Sequence, residues 1–454
     1  MERIVEAVSA ILICEDRVFV IQRQFHLRAF PGYFAFPGGK IDDEDASGEI
    51  IDSWPAVPEQ QVALRRELRE ELNWDLLENW RQGRVHSIDK IGAALTPVGA
   101  QFRFNNHVFA VRLEQPVDFI TDPAEIAWSA WLPPGELLRR YHAGAVHMAP
   151  PTRMAIEALT IDNRRPEIDY SRLQAPPGQL NRIEMTHEVG LLPVPSNTLP
   201  PATRTNALYL GDAGARRILV DPSPRDRATL DALIATLEGL PVDALLISHH
   251  HGDHHEFLPD LAAALSLPVI MTSRTAENLD RKMGKEYLDG LRLEFVGEGD
   301  ALTRWKNQVV RAYELPGHDD GMIGLAPDNL AWMFVADLVE PGTTVVIPED
   351  VGDMRVYLQS LQRVIDLAPG ALIPSHGGIQ VGSHLLHQTL RHRLERESRI
   401  LELWQSGCRE EETIYRTIYP DLPQPLHRLA LQNIRMHLRK LATEALVDDE
   451  RYRQ

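Results

Sequence analysis

The sequence predicts a multidomain α/β protein, and three observations support this class. The chain has 454 residues, enough for about three domains at ~150 residues each. In its middle part, short apolar runs such as Ala207–Leu210 and Ala244–Ile247 alternate with helical patterns such as Arg227–Leu237, which is typical of sheets covered by helices. From about Ser383 onward, apolar residues recur at helical spacing alone. We therefore expect two regions that contain sheets and a small helical tail.

The first region begins as a β-hairpin whose strands are predicted at Val5–Cys14 and Val18–Ile21. A glycine-rich loop at Phe36–Gly39 follows, and then a helix at about Glu59–Leu72 with its leucines on one face. Between residues 162 and 181 the apolar periodicity lapses and prolines accumulate, which is typical of a linker between domains. The predicted domains are residues 1–170, 180–383 and 384–454.

Composition limits the functional classes. The content of 44% hydrophobic and 25% charged residues is that of a globular protein rather than a disordered one. The net charge of −18 repels polyanions, so any contact with nucleic acid needs a local basic patch. The cysteines, Cys14 and Cys408, lie far apart and outside any redox or metal motif, as expected in a reducing compartment. Because the sequence contains neither a basic, cleavable leader nor an apolar run of ~18 residues, we expect a cytoplasmic protein with no membrane partner.

A cluster of histidines follows the predicted strand Ala244–Ile247. Five histidines stand within the seven positions from His249 to His255. His249 and His251 alternate along an extended stretch, so both can face one metal ion, and Asp253 and His254 follow on a turn that can hold a second. Neutral imidazole and carboxylate are the ligands of catalytic zinc. Three more candidates each come directly after a strand-like run, where α/β proteins place their sites: His318, Asp337 and His376.

This ordered pattern resembles the signature of the metallo-β-lactamase superfamily. The resemblance implies a four-layer αββα sandwich that binds two ions, which we expect to be zinc. It implies that seven side chains bind them: His249, His251 and His318 the first ion, Asp253, His254 and His376 the second, and Asp337 both. His250 and His255 match no ligand position, and we expect them to lie behind the ligands or on the surface.

The chemistry implied by this resemblance is hydrolysis. Water held between two metal ions has a pKa lowered toward ~7, which makes hydroxide available at neutral pH. Asp253 is the candidate to orient or deprotonate this water while also acting as a ligand. The attacked group can be an ester, a thioester or a phosphodiester, and the ligand pattern does not choose among them.

The segment after the histidines narrows the resemblance. Glu340–Val345, the turn Pro374–Gly377 and the helical tail resemble the β-lactamase-like-2 group, whose members carry a winged-helix-like C-terminal domain and are similar to single-strand-specific endoribonucleases. Basic residues of the tail either contact an RNA backbone or form the solvated face of a helix: Arg428, Arg435, Arg439 and Lys440.

A second candidate site lies on the predicted helix of the first region. Glu67, Glu70 and Glu71 have i, i+3 and i+4 spacing, which puts three carboxylates on one helix face where they can bind a hard cation such as magnesium. Such runs are more often solvated surface than metal sites, but here the glycine pair Gly38-Gly39 precedes the helix. Glycine loop and glutamate helix together resemble the Nudix box, which binds metal and a diphosphate, and the resemblance implies that the first domain is an α/β/α sandwich.

The residues upstream resemble the extra motif of Nudix coenzyme A diphosphatases. This implies that Glu67, Glu70 and Glu71 bind Mg or Mn, that Glu70 and Glu71 take part in catalysis, and that Gly38 and Gly39 form the substrate loop. It also implies that Arg23 and Arg28 lie near the phosphates of the substrate.

Three features of the sequence depart from the Nudix pattern. About a dozen extra residues, including Trp54, separate the glycine loop from the helix. Asp45 stands where the general box has Glu, and Asn73 replaces the usual Gly after the helix.

The sequence thus predicts a bifunctional metal-dependent hydrolase. One site takes a nucleoside-diphosphate-linked small molecule similar to coenzyme A, and the other cleaves a thioester or ester. Two alternatives stay open. In the first, the protein is an endoribonuclease whose Nudix domain binds or trims RNA ends. In the second, the Nudix domain is a non-catalytic ligand sensor. The sequence does not predict an oligomeric state.

Overall fold

The computed structural model describes residues 4–164 and 166–452. The chain divides into two compact units, residues 1–193 and 194–454. The predicted domain boundaries near residues 170–180 and 383 remain predictions. Part of the predicted linker packs onto the first unit, because Tyr170 and Leu173 are buried in one of its apolar cores.

The first unit contains a seven-stranded sheet with helices on both faces. Its main strand order is β3-β2-β1-β6-β5, with β4 paired to β1, β7 paired to β2, and the pair β1–β6 parallel. The strands are β1 (Val5–Cys14), β2 (Arg17–Arg23), β3 (Phe34–Ala35), β4 (Gly38–Lys40), β5 (Val85–Leu95), β6 (Phe104–Leu113) and β7 (Ile126–Leu132). The helices are α1 (Pro58–Leu72), α2 (Leu76–Arg81), α3 (Pro134–His142) and α4 (Pro150–Ile161). A hairpin of β8 (Ile183–Thr186) and β9 (Val189–Pro195) follows, and the division between the units falls within β9.

Strand β1 is apolar on both faces because it lies between two cores. Val8 and Leu12 pack on one side with Leu68 of α1, whereas Ile11 and Ile13 belong to the other core, beside α3 and α4. This alternation follows from the two-residue repeat of a strand. The resulting architecture is the predicted α/β/α sandwich.

The second unit contains strands covered by helices in two groups. The first group has the order β14-β13-β12-β11-β10, in which β11 to β14 are parallel. The second is a six-stranded sheet with the order β15-β16-β17-β18-β19-β20. The strands of the first group are β10 (Arg204–Leu210), β11 (Ile218–Val220), β12 (Ala244–Leu246), β13 (Val269–Met271) and β14 (Leu293–Phe295). Those of the second are β15 (Ala301–Trp305), β16 (Gln308–Glu314), β17 (Ile323–Pro327), β18 (Met333–Ala336), β19 (Ala371–Pro374) and β20 (Gln380–Val381).

The helices of the sheet-bearing part are α5 (Arg227–Leu237), α6 (Gly252–His255), α7 (Leu258–Leu265), α8 (Ser273–Met283) and α9 (Met354–Leu367). Strands β11, β12 and β13 are only three residues long and buried throughout. Parallel strands covered on both faces have such continuous apolar runs. Polar residues that come directly after them therefore lie at the edge of a buried sheet.

The end of the chain is helical, as predicted. It consists of α10 (His384–Gln405), α11 (Glu411–Ile418) and α12 (His427–Thr443), packed around Trp404, Ile414, Ile434 and Leu438. Within the described residues, none of the helices is long and apolar enough to cross a membrane.

Candidate metal centres

The histidine cluster of the second unit begins where β12 ends. His249 is fully buried, and His251 caps the short helix α6, which carries Asp253 and the fully buried His254. The loop that follows β16 and the ends of β18 and β19 bring three more candidates to the same place: His318, Asp337 and His376.

The seven predicted ligands form two groups. In the first, His251 Nδ1 lies 3.1 Å from His249 Nε2 and 2.9 Å from His318 Nε2. In the second, His376 Nε2 lies 3.4 Å from a carboxylate oxygen of Asp253. The second group consists of Asp253, His254 and His376. Within each group the candidate ligand atoms lie within 4.8 Å of one another.

Asp337 faces both groups with its two oxygens. Its Oδ2 lies 3.6 Å from His318 Nε2 and 3.4 Å from His254 Nε2, whereas its Oδ1 lies 3.6 Å from His376 Nε2. A carboxylate in this place can contact two ions at once.

Hydrogen bonds on the far side of each ring fix which nitrogen carries the proton. His318 Nδ1 donates to the carbonyl oxygen of Val346, and His376 Nδ1 donates to that of Arg204, both at 2.8 Å. A carbonyl oxygen only accepts, so each Nε2 presents a lone pair to the centre.

Asp221 fixes the other two buried rings. It accepts from His254 Nδ1 at 2.9 Å and from the Ser248 hydroxyl at 2.6 Å. Since the single proton of that hydroxyl goes to Asp221, the Ser248 oxygen accepts from His249 Nδ1 at 3.0 Å. Lone pairs of His249 and His254 therefore also point inward.

This arrangement fits metal ions. Four imidazole lone pairs and two carboxylates face one another, and within the described residues neither His254 Nε2 nor Asp337 Oδ1 has a hydrogen-bond partner. A buried set made only of acceptors is unfavourable unless cations neutralise it.

The electrostatics lead to the same conclusion. Burial lowers the pKa of His376, but the charges of Asp337 and Asp253 outweigh burial and raise the pKa to about 10. Two buried carboxylates thus attract a cation strongly. A divalent ion supplies that charge and competes with the proton for the same nitrogen.

Sequence reasoning missed several residues of this centre. Asp221 is fully buried and follows the apolar strand β11 directly, which is the same signal that pointed to Asp337. Asp319 is fully buried and pairs with His250 Nδ1. Glu340 is partly buried nearby, and burial together with the charges of Asp337 and Asp253 raises its pKa to about 7.

The two histidines without a ligand position are both buried, so the surface interpretation is wrong for them. His250 contacts Asp319, and His255 Nδ1 lies 2.8 Å from the hydroxyl oxygen of Tyr287. Both rings thus contact residues that are not predicted ligands.

The glutamate helix of the first unit is α1. Glu67 and Glu71 are buried on the face toward β4, where the Gly38 N–H donates to Glu71 at 2.9 Å. Gly38 has φ +143° and no room for a Cβ beside the backbone of β1, so this position requires glycine, and a Cβ on Gly39 would lie 2.4 Å from the Glu67 carboxylate and displace it.

Burial also shifts the pKa values of these two carboxylates. Burial raises the pKa of Glu67 to about 7 and that of Glu71 to about 8, although Arg66 and the Gly38 N–H oppose the shifts. Glu125, which the sequence did not single out, raises both values further. Bound Mg or Mn would keep both groups ionised.

Glu70 differs from its neighbours. Its side chain is 60% exposed and pairs with Arg66 Nη1 at 3.1 Å, and the same guanidinium contacts Glu67 at 2.8 Å and the buried Asp45 at 2.9 Å. In the described part of the first unit, no three carboxylates come within 4.8 Å of one another. The structure therefore brings Glu67 and Glu71 together but does not gather all three glutamates.

The arginines and the departures from the pattern can also be located. The charge of Arg23 lowers the pKa of Glu71, whereas Arg28 is exposed. The inserted segment adds to the core through Trp54, whose ring packs 5.7 Å from that of Trp80. Asn73 adopts φ +49° at the end of α1, a conformation that asparagine tolerates nearly as glycine does.

Comparison with known proteins assigns the domains. Family models match residues 4–151 as a NUDIX domain, 200–376 as the metallo-beta-lactamase superfamily, and 411–453 as a beta-lactamase associated winged helix domain. The chain carries these three domains. The predicted resemblances to the Nudix, metallo-β-lactamase and β-lactamase-like-2 groups, the winged-helix-like tail and the fold class are confirmed, whereas the resemblance to coenzyme A diphosphatases stays a prediction. Both larger domains belong to metal-dependent hydrolase families, so the protein is an enzyme.

Three relatives illustrate the range of similar proteins. A beta-lactamase-like protein 2 homolog of Drosophila melanogaster is 26% identical over 259 residues, covering 53% of this chain and 82% of that protein. An atrochrysone carboxyl ACP thioesterase of Claviceps purpurea is 26% identical over 174 residues, covering 38% and 50%. A hydroxyacylglutathione hydrolase of Bdellovibrio bacteriovorus is 29% identical over 164 residues, covering 36% and 58%.

Proposed function

We propose that the second unit is a dinuclear zinc hydrolase that cleaves a thioester or ester, and that the first unit cleaves a nucleoside-diphosphate-linked small molecule similar to coenzyme A. The observation that carries the proposal is the convergence of inward imidazole lone pairs on the carboxylates of Asp337 and Asp253. Thioester release from coenzyme A at one centre and diphosphate cleavage at the other would act on one molecule.

The residues of the second unit have separate roles in the proposed hydrolysis. Two divalent ions bound here would lower the pKa of a shared water toward ~7 and stabilise charge on the attacked carbonyl oxygen. Asp337, which faces both groups, would hold both ions, and Asp253 would orient or deprotonate the attacking water. Asp221 and the carbonyl oxygen of Val346 keep the histidine rings in the tautomer that binds metal.

Two observations favour a thioester over RNA. One relative is an ACP thioesterase. The other is the state of three basic residues on α12, which we call the α12 cations. Arg435 and Arg439 contact Glu349, and Lys440 contacts Glu397 at 2.6 Å. These basic residues therefore pair with carboxylates of this chain and are not free for phosphate. Arg428 is exposed.

In the first unit, the buried pair Glu67 and Glu71 supports binding of Mg or Mn beside the glycine loop. Divalent metal bound by anionic oxygen neutralises a diphosphate and holds it for attack. Arg23, whose charge acts on Glu71, is a partner for the phosphates.

The deciding experiment compares substrates. The zinc-loaded protein is incubated with acyl-CoA thioesters and, separately, with single-stranded RNA, with Asp253→Asn as the matched control. We expect thiol release by the parent, little by the variant, and intact RNA. Cleavage of RNA by the parent alone, with thioesters untouched, would make the second unit an endoribonuclease.

The first unit is tested with coenzyme A in Mg or Mn buffer. Cleavage of the diphosphate is the expected result. Binding of coenzyme A without cleavage would instead make the domain a ligand sensor.

A further inference from the structure

A short segment of the second unit lies between the metal centre and the C-terminal helices. After Asp337 the chain runs without regular structure to α9. We call Val345–Glu349, within this stretch, the strap. Val345 and Ile347 are buried, so the strap is part of the packed interior rather than a surface loop.

On one side the strap contacts the metal centre. The carbonyl oxygen of Val346 accepts from His318 Nδ1 at 2.8 Å. This bond fixes the tautomer and the direction of the His318 ring. A shift of the strap would therefore turn the nitrogen that faces the centre.

On the other side the strap is held by α10 and α12. Arg393 of α10, itself 2% exposed, donates to the carbonyl oxygen of Val345. Asn433 of α12, 7% exposed, accepts from the Ile347 N–H at 3.1 Å. The two residues that flank Val346 in sequence are thus each hydrogen-bonded to a buried side chain of the C-terminal helices.

The end of the strap is tied by charge. Glu349 accepts from Arg435 Nη1 at 3.0 Å and from Arg439 Nη2 at 3.1 Å, and Arg439 Nη1 also donates to the Glu349 carbonyl oxygen at 3.0 Å. Ion pairs of this exposure add little to stability. These contacts nevertheless restrain the backbone at Glu349, three residues after the carbonyl group that contacts His318.

We propose that the C-terminal helices position His318 through the strap, with Asn433 and Arg393 as positioning residues for the metal centre. The tail then contributes to metal affinity at the site of His249, His251 and His318, in addition to any contact with a substrate. This proposal rests on the proposed zinc centre.

The test measures zinc affinity by competition with a chelator. Asn433→Ala should weaken one of two bound ions about tenfold, the range seen when an outer partner of a metal ligand is lost, and leave the other ion unchanged. Asn433→Asp retains an acceptor oxygen and should restore the affinity. Glu349→Ala, at a partly exposed side chain, should weaken the same ion and covers the case in which Asn433→Ala does not fold.

Lys440→Met is the matched control, because Lys440 lies on α12 and, among the residues that the structure describes, pairs with Glu397 and Glu444 rather than with the strap. Unchanged zinc affinity in both Asn433→Ala and Glu349→Ala would overturn the proposal. An equal loss of affinity in Lys440→Met, or no recovery of affinity in Asn433→Asp, would also overturn it. Failure of the parent to bind zinc would instead refute the metal centre itself.

Discussion

The buried His147 makes the stability of the first unit depend on pH in a predictable way. The residue is 5% exposed, and its Nδ1 lies 2.8 Å from the hydroxyl oxygen of Thr186, which is also buried. Burial lowers the pKa of His147 from 6.5 to about 4. The folded ring therefore stays neutral at pH values where the unfolded ring binds a proton.

The direction and size of the change in the free energy of unfolding with pH follow from proton linkage. Because the unfolded state binds more protons below pH 6.5, stability is present at neutral pH and falls as the pH drops from 6.5 toward 4. Between pH 7 and pH 5 the unfolded ring takes up most of one proton and the folded ring little. The free energy of unfolding should fall by about 2 kcal/mol over this interval.

The perturbation is His147→Gln, which keeps a neutral polar group beside Thr186 but cannot titrate. Because a chain of several domains does not unfold in one step, the measurement is native-state hydrogen exchange of amides in β1 and β6, at pH 7 and pH 5. Glu67 and Glu71 also titrate in this unit, but they do so equally in parent and variant. The difference between the two proteins isolates His147.

The stability difference between parent and variant should shift by about 2 kcal/mol toward the variant at pH 5. His86→Gln, which removes a histidine with a 72% exposed side chain from the same unit, is the control. Equal pH dependence in parent and His147→Gln would refute the reasoning, since the buried ring would then gain a proton as readily as the unfolded one.

Three further predictions concern the sites. Metal analysis should find two ions per chain, and Asp337→Ala should lose at least one because it removes the carboxylate that faces both groups; full retention would contradict the bridge. Glu71→Gln should abolish diphosphate cleavage and leave thioester cleavage intact, since an amide lacks the charge that magnesium needs at the buried pair of Glu67 and Glu71; unchanged diphosphatase activity would remove Glu71 from the site. Replacing the α12 cations should leave the salt dependence of any RNA binding unchanged, because they are already paired; a slope shallower by about 0.7 per residue would show that they contact phosphates.

The sequence alone predicted the elements and the candidate ligands that the structure brings together in the second unit. Each ligand stands directly after an apolar run or in a short turn motif, and such patterns depend only on neighbours along the chain. The same holds for α1, expected at about Glu59–Leu72 and found at Pro58–Leu72, whose start and end follow from Pro58 and Asn73.

Only the tertiary structure decided which hydrogen-bond acceptors hold the rings of the candidate ligands. Asp221 and the carbonyl oxygen of Val346 lie far in sequence from the rings they hold, and no local pattern announces a partner that packing supplies. Packing likewise left Glu70 exposed while burying Glu67 and Glu71, although all three share one predicted helix face. Burial is a property of the folded whole, because it depends on which surface another element covers, and it sets both the charge state of a carboxylate and whether a basic residue is free to bind.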